Sequence, residues 1–99
     1  IKFKGTTLYP PALFDILNEM EEVEDFVVEV FSNDMGTDEL HIFIARLNNT
    51  EESDRKIRAN MQARLRVSPN ITYLTAPELH KIQITEAGRK VIRFIDKRL

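Results

Sequence analysis

Cysteine is absent from the 99 residues, and that one absence removes disulfides, zinc thiolates, iron–sulfur clusters and cysteine nucleophiles together. Charge of one sign is lacking as well. The formal net charge is −2, which gives no electrostatic reason to expect nucleic acid or an anionic membrane surface as a partner. No apolar run reaches the ~20 residues that a membrane-spanning helix needs. The segment beginning at Ile1 does not follow the charged, apolar, small-residue pattern of a secretory signal, which a piece of a longer chain would have lost in any case; the expected location is the cytoplasm. Repeats, low-complexity tracts and internal linkers are missing too. His41 and His80 are isolated histidines with no partner at metal-ligand spacing, so no metal site is expected. The tripeptides Asn48-Asn49-Thr50 and Asn70-Ile71-Thr72 read as chance sequons.

What remains is ordinary globular composition, 42% hydrophobic and 30% charged, enough for a single domain over 1–99 with one core. Residues 1–4 read as a short strand ending at Gly5, a residue free to turn the backbone. Pro10 and Pro11 suit a helical first turn, and Leu13, Ile16, Leu17 and Met20 then recur at helical spacing. Glu21, Glu22, Glu24 and Asp25 form an acidic connector. Alternation predicts strands over 26–31 and 40–45, joined as an antiparallel hairpin through the turn residues Asn33, Asp34, Met35 and Gly36. Asn49 or Thr50 caps a second helix whose stripe is Ile57, Met61 and Leu65, ended by Ser68-Pro69-Asn70. A strand over 71–74 follows, then two short stretches, 82–84 and 91–95, with Glu86-Ala87-Gly88-Arg89-Lys90 between them. The order predicts an α+β, ferredoxin-like split βαβ fold. Its antiparallel-rich sheet would carry two helices on one face and a C-terminal β segment. Such a fold hosts many functions and names none.

Three stretches carry a resemblance. "IKFKG", followed by an extended segment and a helix, is similar to the opening Ile-Lys-x-Arg-Gly of the small C-terminal domain of adenylate-forming enzymes, with Lys4 in place of the arginine. Its continuation "TTLYPPALFDIL" resembles the phenylacetate–coenzyme A ligase branch, where Arg-Gly-Val-Asn-Val-Phe-Pro precedes the helix. Gly5, Leu8, Tyr9 and Pro10 fit that line, while Thr6 and Thr7 stand where Val-Asn is usual. "DELHIFI" is similar to the family's Asp-Glu-Leu-x-Val-x-Val strand. "RKVIRFIDKR" resembles the branch's terminal Gly-Lys-Ala-x-Arg-Val-Ile-Asp-x-Arg through Lys90, Arg93, Ile95, Asp96 and Arg98.

The resemblance implies one mobile domain of a two-step ligase. An aryl acid such as phenylacetate, ATP and Mg2+ would be held mainly by an N-terminal adenylation domain, the partner expected ahead of Ile1. Coenzyme A would be the second substrate. The small domain would complete the site first for acyl-adenylate formation, then for thioester formation, and alone would be inactive. The resemblance makes Lys90 the catalytic cation when the alignment is anchored on Arg93 and Asp96, and Arg89 when it is anchored on Gly88. An ammonium on a long flexible stem suits a phosphate charge that develops only after domain closure. Lys2, Lys4, Gly5, Thr6 and Thr7 would line the coenzyme A channel. Lys2 and Lys4 could equally be a solvated strand edge.

Two rivals from other classes stand beside this reading. A small ferredoxin-like regulatory or ligand-binding module would explain the fold without catalysis. An RNA-binding domain would need exposed aromatics on a basic sheet face. Phe26, Phe31 and Phe43 instead lie in apolar runs that read as core, and Arg55, Lys56, Arg58, Arg64 and Arg66 read as the solvated face of the second helix. Tyr9 and Phe14 read as packing residues at the start of the first helix.

Overall fold

The computed structural model describes residues 2–3, 6–66, 68–84 and 92–98. Strands β1 (Lys2–Phe3) and β2 (Thr6–Thr7) form an antiparallel pair of their own. Helix α1 (Pro10–Glu19) starts with its prolines in the first turn, where a missing N–H removes no intrahelical bond. It buries Leu13, Ile16 and Leu17. Strands β3 (Val23–Ser32) and β4 (Asp38–Arg46) follow, joined through Gly36, whose φ of +78° is open to a residue without a Cβ. Asn33 Oδ1 accepts the Met35 and Thr37 amides and holds that turn. Helix α2 (Glu51–Leu65) is capped by Thr50, whose Oγ1 accepts the Ser53 N–H at 3.1 Å. It ends at Leu65, before the Ser68-Pro69-Asn70 stop read from sequence, because Arg66 turns into the left-handed region at φ 62°. Strand β5 (Asn70–Leu74), helix α3 (Ala76–Gln83) and strand β6 (Phe94–Asp96) complete the described elements.

Four strands form the main sheet in the order β5-β4-β3-β6. The central β3–β4 pair is antiparallel, and β5 and β6 run parallel to their neighbours. One face holds Phe26, Val28, Val30, Leu40, Ile42 and Ile44 against α1 and α2. Phe14 closes that layer, its ring 5.6 Å from Phe26 and 6.2 Å from Phe94. On the other face Val27 and Ala45 pack with Leu79 of α3, flanked by Phe43, Leu74, Ile82 and Ile95. The Tyr73 hydroxyl donates to Asp54 and so ties β5 to α2, while the Arg46 guanidinium lies 3.7 Å from the centre of the Tyr73 ring.

The α+β, ferredoxin-like class holds, and several details differ from the sequence reading. Residues 23–25 are not connector but the start of β3, because Val23 packs on the α1–α2 core and Arg46 pairs opposite it. Residues 82–83 are helical rather than extended. Thr75 accepts the Glu78 N–H and Glu78 returns the bond to the Thr75 N–H, a capping box that starts α3 with Pro77 in its first turn. That helix covers the second sheet face, so the sheet is a middle layer rather than an outer wall. The sheet is also mixed, because both outer strands are reached by crossovers. The first strand stands outside it, paired only with β2. Tyr9 is 68% exposed instead of packed, since Leu8 ahead of α1 and Leu13 within it take the inward positions beside it.

Leu79 is fully buried at the centre of the α3 face. Leu79→Ala should therefore cost about 2–5 kcal/mol in urea unfolding, with the denaturant slope unchanged. A loss under about 0.5 kcal/mol, the scale of an ordinary surface substitution, would show that α3 does not pack on this face.

Candidate functional site

The residues singled out from sequence fall at two places. At the first, β1 and β2 pair with Lys2 opposite Thr7 and Phe3 opposite Thr6. The hairpin thus brings Lys2, Thr6 and Thr7 together along the backbone. Lys4 and Gly5, which connect the two strands in sequence, lie outside the described residues. Thr7 is exposed and borders a groove of about 250 Å³, with Leu8, Tyr9 and Ala12 on one side and Leu65 and Arg66 on the other. One wall of the groove is the exposed Tyr9 ring.

At the second place, Arg89 and Lys90 lie outside the described residues, as does the rest of 85–91. The chain on either side is described and closely bonded. The Ile92 N–H donates to the Gln83 carbonyl at 2.8 Å, and the Val28 N–H to the Arg93 carbonyl at 2.8 Å. Gln83 Nε2 donates to Asp25 Oδ2 at 2.7 Å, and Arg93 Nε donates to Asp25 Oδ1 at 3.1 Å. The Phe26 N–H also donates to Asp25 Oδ1, at 2.9 Å. Sequence reasoning passed over both Asp25 and Gln83. A break in parity between Val23 and Phe26, both facing the same core, is the signal that could have marked Asp25; nothing in the sequence marks Gln83.

Beyond β6, the Arg98 guanidinium makes two bonds to Asp96, 2.9 Å to Oδ1 and 2.7 Å to Oδ2, and a third to Asp38 Oδ2 at 3.3 Å. The Arg98 side-chain bonds pull the Asp96 carboxyl down to about 2. Lys97 lies 3.3 Å from Glu29. The C-terminal residues that carried the resemblance, Arg93, Ile95, Asp96 and Arg98, therefore bond or pack the last strand onto the sheet.

Several of the remaining candidates have structural partners. His41 Nε2 lies 2.6 Å from Thr72 Oγ1, and the His41 ring stacks on Phe43 at 4.5 Å. On α2, Lys56 pairs with Glu52, Arg58 with Asp54 and Arg64 with Glu19. Among the described residues no group of three or more histidines and carboxylates could hold a metal ion. Among them, too, no helix is long and apolar enough to cross a membrane.

A sequence profile for the AMP-binding enzyme C-terminal domain matches residues 5–98. The fold is similar to a domain of phenylacetate-coenzyme A ligase from Bacteroides vulgatus, with a TM-score of 0.67 and 18% identity, covering 100% of this chain and 92% of that one. It is similar as well to part of 2-hydroxyisobutyryl-CoA ligase in complex with 2-HIB-AMP and CoA in the thioesterification state, at TM-score 0.64 and 18% identity over 96% of this chain. The same ligase in its postadenylation state gives 0.67 and 16% over 98%. This chain spans 20% and 21% of those two chains. At such identities the likeness is one of fold. No curated protein matches the chain in sequence.

Burial pushes the Asp25 carboxyl up, but hydrogen bonds from Gln83, the Phe26 amide and Arg93 together outweigh it and hold the group below its ordinary 3.8. The unfolded chain then binds more protons across that window, so the contribution to stability is complete above the ordinary value. It is lost as pH falls through the lower folded one. The urea-stability gap between wild type and Asp25→Asn should thus be widest near about pH 7 and shrink towards about pH 2. An equal gap at both ends would show that the charge on Asp25 contributes nothing.

Proposed function

Because the chain belongs to the AMP-binding enzyme C-terminal domain family, we propose that it is the mobile small domain of an AMP-forming aryl-acid–coenzyme A ligase. The observation that carries this reading is the profile match from residue 5 to residue 98, nearly the whole chain. The likeness to a domain of phenylacetate-coenzyme A ligase over 92% of that domain supports it. An aryl acetate is the acid we assign, on the likeness of both chain ends to that branch. Its adenylation domain would be the partner of this one and would hold the acid, ATP and Mg2+.

In the first half-reaction the acid carboxylate attacks the α-phosphorus of ATP. A carboxylate oxygen–phosphorus bond forms and pyrophosphate leaves. Lys90, or Arg89 in the shifted alignment, would stabilise the charge that grows on the α-phosphate oxygens once closure has excluded water. In the second half-reaction the coenzyme A thiolate attacks the acyl carbonyl, a carbon–sulfur bond forms and AMP leaves. Here the β1–β2 hairpin would face the site. Gly5 would give the pantetheine arm room, with Lys2 and Lys4 near the phosphates of coenzyme A and Thr6 and Thr7 along the path of the arm. That 2-hydroxyisobutyryl-CoA ligase has been captured in both a postadenylation and a thioesterification state supports two working poses for this fold.

In the complete ligase, Lys90→Ala should slow acyl-adenylate formation by about a hundred- to a thousandfold. A supplied acyl-adenylate should still be converted to thioester. Arg89→Ala is the companion measurement. Loss of adenylation with Arg89→Ala alone moves the role by one residue, and loss with neither removes it from this segment.

Gly5→Leu should do the reverse, slowing thioester formation from supplied acyl-adenylate while sparing adenylation. Equal loss in both half-reactions would instead indicate a backbone that needs glycine for its conformation.

A further inference from the structure

The β3–β4 register slips between Val23 and Asp25. Val23 packs with the α1–α2 core, and so do Phe26, Val28 and Val30. An unbroken two-residue alternation from Val23 would send Asp25 into that same core. The bulge absorbs the extra residue and turns Asp25 onto the α3 face, in line with Val27. The centre of that face is apolar, built from Val27, Ala45 and Leu79. A carboxylate and a 2%-exposed Gln83 beside it cost desolvation unless each finds a partner, and they find each other. The two oxygens of Asp25 divide between the chain ends that border residues 85–91. Oδ2 takes Gln83, the last residue of α3, and Oδ1 takes Arg93, just ahead of β6. The Ile92 N–H, bonded to the Gln83 carbonyl at 2.8 Å, joins the same two ends through the backbone.

We propose that Asp25 is a positioning residue for adenylation: its carboxylate clasps Gln83 to Arg93 and sets where the chain leaves and re-enters the fold on either side of residues 85–91. This rests on the reading that Lys90 or Arg89 supplies the cation. Pinning both ends of a connection removes its end-to-end freedom whatever path it takes, and a charge must arrive within a fraction of an ångström to act on a phosphate. The far end of β6 does not need the clasp. Lys97 pairs with Glu29, and Arg98 with Asp38, independently of Asp25.

The test uses Asp25→Ala and Gln83→Met; the second keeps the buried volume and removes the amide. In the complete ligase each should lower kcat for acyl-adenylate formation about tenfold or more, with KM for ATP and acid, and thioester formation from supplied acyl-adenylate, held within about twofold. In the 99-residue chain, amide hydrogen exchange at Ile92 should speed up while Val30 and Ile42 stay protected. Unchanged Ile92 exchange in both variants overturns the clasp. Faster Ile92 exchange with normal adenylation, in a ligase that Lys90→Ala or Arg89→Ala cripples, overturns the positioning role. If neither cation variant affects adenylation, the reading of the cation fails and the positioning role fails with it, while Ile92 exchange still decides whether the clasp exists. Should Asp25→Ala expose Val30 as well, the fold has been lost in that variant, and Gln83→Met then decides between the clasp and its absence.

Discussion

Strand β3 is hydrogen-bonded along both edges and covered on both faces, and the other elements of the main sheet take their places from it. Val27, Val28 and Val30 are fully buried, which a strand with one wet face could not show. One edge pairs with β4 along its length, and the other accepts only the short β6, parallel to it. Burial on both sides requires two helical layers. The amphipathic pair α1 and α2 supplies one, and the shorter α3 supplies the other. Because each face needs its own set of side chains, register along β3 is tightly specified, and the bulge beside Val23 decides which residues reach which face.

The polar ties are unevenly distributed about this core. The pairs along α2, Lys56 with Glu52 and Arg58 with Asp54, sit largely in water and are each worth about 0–1 kcal/mol. Those that gather at the sheet edge formed by β6 have a different character. Arg93, Lys97 and Arg98 each reach a carboxylate on β3 or β4, so three cations from one short segment secure a strand only three residues long. A strand that short, with one neighbour, has little backbone pairing to hold it, and side-chain anchors offset that.

This arrangement gives a physical meaning to the C-terminal stretch through which the chain resembles its family. Arg93, Ile95, Asp96 and Arg98 follow within a few residues of the proposed catalytic cation; Arg93, Ile95 and Arg98 hold the chain against the sheet, and Asp96 braces Arg98. A sequence motif that joins the proposed catalytic cation to several anchoring residues is the pattern expected when a charge must be delivered from a fixed base.

The sequence by itself determined the two long strands and their turn, the first two helices and the stripe that α2 buries. In each, apolar spacing matches the period of the element and local signals mark the ends: the prolines of α1, Thr50, and the Asn33–Gly36 turn. It also carried the family, because the resemblance lies in ordered residue types that survive without coordinates. Only the tertiary structure decided the rest. Helix α3 has eight residues and a mixed surface, so its period is faint, and its reason to exist is a sheet face that forms from distant segments. The opening strand over 1–4 reads as part of the sheet until the edge beside β3 is seen to be occupied by β6, from the other end of the chain. Asp25 reads as one more acidic residue in a connector. Its role comes from a one-residue bulge and from partners 58 and 68 positions away, and sequence periodicity cannot encode a meeting between segments that only folding brings together.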